Sequence, residues 1–202
     1  MGAGWAQRAR VEGGESTSAR LETIKHSLPP APLPFPQLLT DALANATSIL
    51  ELGTYCGFGT ATLAAALPSA RITTIELLPR NAAVAAAFFA HAGVAHRVDL
   101  RVGSVPDVLP ALVGEGARFD AVFIDHHKDA YAPDAAALLD AGVLAPGAVL
   151  VADNIKVPGA PAYAAWAAAH PRLTTRFVDA PLEWLAGVPG VGDVVAVSVL
   201  SA

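Results

Sequence analysis

The chain has 202 residues, enough to bury a two-faced sheet, and reads as one domain over 1–202 with residues 1 to about 20 as a flexible lead. It carries 13 basic against 18 acidic residues, a net charge of −5, with no basic stripe of the kind a nucleic-acid partner requires. The single cysteine, Cys56, excludes an internal disulfide and suits a reducing compartment; although 53% of the residues are apolar, no 18 run together, so no membrane partner is expected. Nothing near Arg8, Arg10 and Glu12 resembles a secretory signal, and the expected location is cytoplasmic.

In chain order, Leu21 to Leu28 reads as a short helix and the proline-rich stretch to Pro36 as a connector. Phe35, Leu38, Leu39, Ala42 and Leu43 recur at helical spacing, so a helix should end near Asn45. Strands and helices then alternate. Strands are predicted at Ser48 to Gly53, Arg71 to Glu76, Val98 to Val102, Asp120 to Asp125 and Val149 to Asp153. The helices between them run from Gly59 to Leu67, Pro79 to His91, Val105 to Val113, and Ala132 to Leu144, the last ended by Pro146-Gly147. A helix from Pro161 to His170 precedes two strands, Leu173 to Val178 and Val194 to Leu200, which should pair antiparallel because no helix fits between them. This alternation predicts an α/β fold with a mostly parallel sheet and Ala-rich helices on both faces.

Strand one runs into Gly53-Thr54-Tyr55-Cys56-Gly57-Phe58-Gly59, where glycines let the backbone turn tightly and approach a ligand. Glu76, at the end of strand two, stands where an acid binds ribose hydroxyls in Rossmann-like folds. The pair implies a nucleoside-containing cofactor. A dinucleotide fingerprint would need a further glycine after Gly57-Phe58-Gly59, and Thr60-Ala61-Thr62 follows instead, which counts against NAD.

Strand four ends in Asp125-His126-His127-Lys128 and strand five in Asp153-Asn154. Strand C-termini are where ligands bind in such sheets, and neighbouring strands lie about 4.8 Å apart. Asp125, Asp153 and Asn154 would then converge on one hard cation, and an oxygen-only set favours Mg²⁺ over zinc. Zinc on His126 and His127 would need further nitrogen or sulfur ligands. Lys128 beside such a site suits a general base.

At these residues the chain resembles the catechol O-methyltransferases. The similar stretches are Leu50 to Phe58, Thr74-Ile75-Glu76, Ala92-Gly93-Val94, Phe123 to Asp129, Asp134 with its following helix, and Ala152-Asp153-Asn154 with Pro158-Gly159-Ala160-Pro161. The resemblance implies a Rossmann-like class I methyltransferase fold, a seven-stranded sheet with a reversed last strand. It implies S-adenosylmethionine (SAM) and Mg²⁺ as cofactors and a small-molecule catechol as substrate. Gly53, Tyr55 and Gly57 would border the methionine end of SAM, Glu76 would bind the ribose, Gly103 and Ser104 would serve the adenine, and Asp125 and His126 would face the cofactor. Asp125, Asp153 and Asn154 would hold the metal. Lys128 would take a proton from one catechol hydroxyl, Glu183 in Leu182-Glu183-Trp184 would hold the other, and Asn154 and Pro158 would border the ring. The chain departs from the family pattern at Gly59, Val105-Pro106 and His127. Three alternatives stay open: a cation-dependent O-methyltransferase of another phenol, an NAD-dependent oxidoreductase, and a non-catalytic relative.

Overall fold

The structure, a computed structural model, describes residues 35–181 and 192–201. The expectations for residues 1–34, and for Glu183 and its neighbours, lie outside the described residues. Six helices and seven strands follow in order: α1 Phe35–Ala42, β1 Ser48–Leu52, α2 Phe58–Ala66, β2 Arg71–Glu76, α3 Pro79–His91, β3 Val98–Val102, α4 Val105–Gly114, β4 Phe119–Ile124, α5 Tyr131–Asp140, β5 Leu144–Ala152, α6 Pro161–Ala169, β6 Leu173–Ala180 and β7 Asp193–Leu200. Local chemistry sets several boundaries. Pro79 opens α3, where its missing N–H costs nothing. Ser104 and Asp107 form a reciprocal capping box at the start of α4.

Several boundaries differ from the sequence expectation: α1 ends at Ala42, short of Asn45, β6 runs on to Ala180, past Val178, and the largest change is at α5 and β5. Helix α5 stops at Asp140, not Leu144, because Gly142 adopts a left-handed φ of 66°. Strand β5 therefore starts early, at Leu144, and runs through Pro146-Gly147. Its pairing with β4 slips between Phe119 and Ala121, so the proline falls in an irregularity and owes no ladder hydrogen bond.

The sheet order is β3-β2-β1-β4-β5-β7-β6. Strands β1 to β5 pair in parallel, and β7 lies antiparallel to both β5 and β6. This is the seven-stranded, mostly parallel arrangement with a reversed last strand that the resemblance implied. Alternation along each strand feeds two cores. Leu50, Val122, Ile124 and Leu150 pack with residues of α4, α5 and α6 on one face. Ile49, Ala121, Phe123 and Val151 pack with residues of α1, α2 and α3 on the other. The strands read as near-continuous apolar runs because both faces are covered.

Leu138 of α5 is 0% exposed in the first of these cores. Leu138→Ala leaves a cavity there and is expected to lower unfolding stability by about 2–5 kcal/mol. Chemical denaturation followed by circular dichroism measures this loss.

Candidate active site

The chain reverses its direction of growth at β1, which has β2 on one side and β4 on the other. The crevice above the carboxyl ends of such strands is the place for a ligand. Register brings Leu52, Ile75, Ile124 and Ala152 level across four strands. The next residues, Gly53, Glu76, Asp125 and Asp153, therefore emerge along one edge. The ladder continues one step into them: Gly53 N–H donates to Ile75 O at 3.0 Å, Asp125 N–H to Leu52 O at 2.9 Å, and Asp153 N–H to Ile124 O at 3.1 Å.

On the β2 side of this edge lies a cleft of about 470 Å³ bordered by Gly53, Tyr55, Glu76, Gly103, Ser104 and His126. Gly53 has φ 99°, and a Cβ there would sit 2.5 Å from the Asp125 carbonyl oxygen, so no other residue fits. Glu76 is only 6% exposed. One of its oxygens accepts from the Tyr55 N–H at 2.8 Å, the other from the Leu78 N–H at 2.9 Å and Asn81 Nδ2 at 3.2 Å. The carboxylate is thus held in place with one lone pair, on the oxygen that Tyr55 meets, left for a ligand. His126 stacks on Tyr131 and pairs through Nε2 with Asp134 at 2.9 Å. The Ser104 hydroxyl is committed to Asp107 in the helix cap.

On the other side lies a second cavity of about 220 Å³. Phe35, Leu39 and Phe123 supply apolar walls, and Asp125, Asp153 and Asn154 a polar end. Gly53, Tyr55 and Asp125 border both spaces. Lys128 Nζ donates to Asp125 Oδ1 and Asn154 Oδ1, each at 2.9 Å, and to the Tyr131 hydroxyl. Two oxygens of the expected metal set thus already face one cationic group. Asp153 is pushed up to about 7, first by burial and then by the charge of Asp125. Burial, followed by the same two carboxylates, drives the Tyr131 phenol well above its ordinary range, so it stays a neutral hydrogen-bonding group. Among the described residues no three His, Cys, Asp or Glu side chains gather as a metal cluster; the oxygen set here is two carboxylates and an amide. Pro158 is exposed and borders neither space.

Residues 16–164 match the family model described as O-methyltransferase. The chain belongs to this O-methyltransferase family. Over 129 residues it is 46% identical to a probable O-methyltransferase of Mycobacterium tuberculosis, covering 61% of this chain and 55% of that protein. Over 146 residues it is 41% identical to the catechol O-methyltransferase of Sus scrofa, covering 71% of this chain and 78% of the relative. The match thus spans little more than half the length of the mycobacterial protein. Among solved structures, an O-methyltransferase of tomaymycin synthesis from Streptomyces achromogenes, in complex with SAM, superposes with a TM-score of 0.70. It is 29% identical, with 96% of this chain and 93% of that chain covered. The dehydrogenase alternative raised by the glycine loop falls with family membership.

Three polar residues of this site escaped the sequence reading. Tyr131, which holds Lys128, stands one residue ahead of the helix predicted from Ala132 and drew no attention there. Asp193 opens β7, one residue ahead of the strand predicted from Val194, and is 3% exposed beside Asn154. Glu51 did carry a signal, a charge inside the apolar run Ile49 to Leu52. It is 1% exposed, borders the smaller cavity, and accepts from the Thr60 and Thr74 hydroxyls.

Burial raises the Glu51 carboxyl from 4.5 to about 7 against the opposing pull of those two hydroxyls. The folded state therefore binds more protons than the unfolded state between these values. Stability from neutral Glu51 is full below about pH 4.5 and is lost as pH rises through 7. Glu51→Gln cannot ionise. It should match wild type near pH 5 and exceed it above pH 8 by on the order of 3 kcal/mol. Denaturant unfolding of both proteins across this pH range tests the sign.

Proposed function

We propose that the chain transfers a methyl group from SAM to one hydroxyl of a catechol-type small molecule, with Mg²⁺ bound at the strand ends. The observation that carries this reading is the gathering of Asp125, Asp153 and Asn154 at the ends of β4 and β5, where they line an apolar cavity that meets a larger cleft at Gly53, with Lys128 bonded to two of them. The catechol O-methyltransferase relative and the SAM-bound structural neighbour support the same reading.

The donor chemistry fits both groups. Asp125, Asp153 and Asn154 offer only hard oxygens, the set that suits Mg²⁺. Glu76 offers an oriented carboxylate to ribose hydroxyls, and Gly53 leaves open the space that a Cβ would fill. When bound, Mg²⁺ stabilises negative charge on a catechol oxygen, and SAM supplies an electrophilic methyl. The remaining work falls to the chain. Asp125, Asp153 and Asn154 hold the cation. Lys128, once its ammonium has given up a proton to solvent, takes the proton from the reacting hydroxyl as a neutral amine, with the Tyr131 hydroxyl fixing its position. Phe35, Leu39 and Phe123 press on the aromatic ring and keep water from the oxygen. Glu183 receives the second hydroxyl. Catalysis is then mostly alignment of oxygen and methyl plus charge stabilisation.

A methyl-transfer assay on catechols and their matched phenols, with Mg²⁺ or with excess EDTA, tests the reading. Catechols should react faster than the phenols by on the order of 10² or more, because a site built for two hydroxyls rejects a ligand lacking one. Comparable rates would remove the catechol assignment, and full turnover in EDTA the metal. For the cofactor, Glu76→Ala should weaken SAM binding by about 1.5–3 kcal/mol in titration calorimetry, the worth of a hydrogen bond to a charged group. Unchanged affinity would mean that the ribose lies elsewhere.

A further inference from the structure

Asp193 has no place in the chemistry described so far, yet it is among the most engaged acids of the site. Its side chain is buried at the first position of β7, and β7 reaches the site only because it inserts between β5 and β6. Oδ1 accepts from three backbone N–H groups: Lys156 at 2.9 Å, Val157 at 3.0 Å and Val194 at 2.7 Å. Oδ2 accepts from Asn154 Nδ2 at 3.0 Å. The opposite end of that amide, Asn154 Oδ1, accepts from Lys128 Nζ at 2.9 Å.

The two neighbours impose one orientation on the amide. A carboxylate only accepts hydrogen bonds and an ammonium only donates them. The NH₂ group must therefore face Asp193, and the oxygen must face the space shared with Asp125 and Lys128. An amide turned the other way would set donor against donor at Lys128 and acceptor against acceptor at Asp193. Asn154 also holds a left-handed backbone, φ 56°, and the segment after it is tied to the same acid through Lys156 and Val157.

We propose that Asp193 is a positioning residue that locks the Asn154 amide with its oxygen toward the cation site. This rests on the reading of Asn154 as a cation ligand. A ligating amide free to rotate would present nitrogen part of the time, and NH₂ carries no lone pair for a hard cation. Asp193 removes that choice from two bonds away, as outer partners of metal ligands do elsewhere.

The geometry specifies its own test. D193N keeps the side-chain shape. Its oxygen stays with the three backbone N–H groups, so its NH₂ meets the NH₂ of Asn154, and the Asn154 amide must turn. N154D alone sets two carboxylates against each other. N154D/D193N restores a hydrogen bond with donor and acceptor exchanged, and returns an oxygen to the cation side. Mn²⁺ binding is measured by titration calorimetry on the full chain, with circular dichroism confirming that each variant is folded. D193N should bind about 10–100-fold more weakly than wild type, the usual cost of losing an outer partner. The double variant should recover most of that loss. Binding by D193N equal to wild type, or no recovery in the double variant, overturns the proposal. If wild type itself binds no Mn²⁺, the metal reading fails separately. Hydrogen exchange of the Asn154 side-chain amide, read by NMR without metal, then decides the proposal. Faster exchange in D193N than in wild type upholds the positioning role, and equal exchange overturns it.

Discussion

Two carboxylates held side by side at the ends of adjacent parallel strands are the constraint on which the site depends. Ile124 and Ala152 are register partners, so Asp125 and Asp153 leave the sheet next to each other whatever their mutual repulsion. Burial sharpens that repulsion, since charge is less screened away from water. The surrounding structure answers with one amine: Lys128 bridges Asp125 and Asn154. The amine is itself fixed by Tyr131, whose ring lies beneath it at 4.6 Å and packs edge-on against Tyr163 in the core. A polar cluster is in this way anchored to the apolar face formed by α4, α5 and α6. Side chains placed so rigidly lose little further entropy when a ligand arrives, which is what precise alignment of two reactants requires.

The same edge divides the two cavities. Gly53, Tyr55 and Asp125 stand between a cleft with an oriented acid, Glu76, and a smaller space with apolar walls. A nucleoside and an aromatic acceptor would enter from different sides and meet over Gly53, where the absence of a side chain leaves the backbone bare. The positive φ of Gly53 and of Tyr55 belongs to this meeting point. Backbone conformations of that kind persist where neighbouring structure over-determines them, and here the Tyr55 N–H is clamped by Glu76 while the Gly53 N–H remains in the sheet ladder.

The reversed strand β7 does more than close the sheet. Its insertion between β5 and β6 carries a buried acid to the foot of the segment that follows Asn154. The site is therefore assembled from the ends of β1, β2, β4 and β5 at their carboxyl sides and from the amino end of β7, which an antiparallel strand alone delivers to the same edge. That topology explains why a strand late in the chain shapes a site whose recognisable motifs all occur earlier.

Much of this was legible from residue order alone. Apolar runs ended by Gly53, Glu76, Asp125 and Asp153 marked the strands and their functional ends, because a strand buried on both faces must be apolar until it reaches solvent. Glycine spacing marked the turn after β1, because the required positive φ excludes most side chains. The end of α5 was misplaced, since Pro146-Gly147 is a strong local stop signal and the register slip that accommodates it in β5 is a property of two strands together. Asp193, Tyr131 and Glu51 have side-chain partners at separations of 39, 3 and 23 residues respectively. The first and last of these contacts exist only once β7 joins β5 and β2 joins β1. Local sequence thus determined where strands stop and which chemistry waits at their ends. Which acids touch, which amide is turned and which carboxyls are raised were decided by tertiary packing, because hydrogen-bond partnership and desolvation depend on neighbours in space, not on neighbours along the chain.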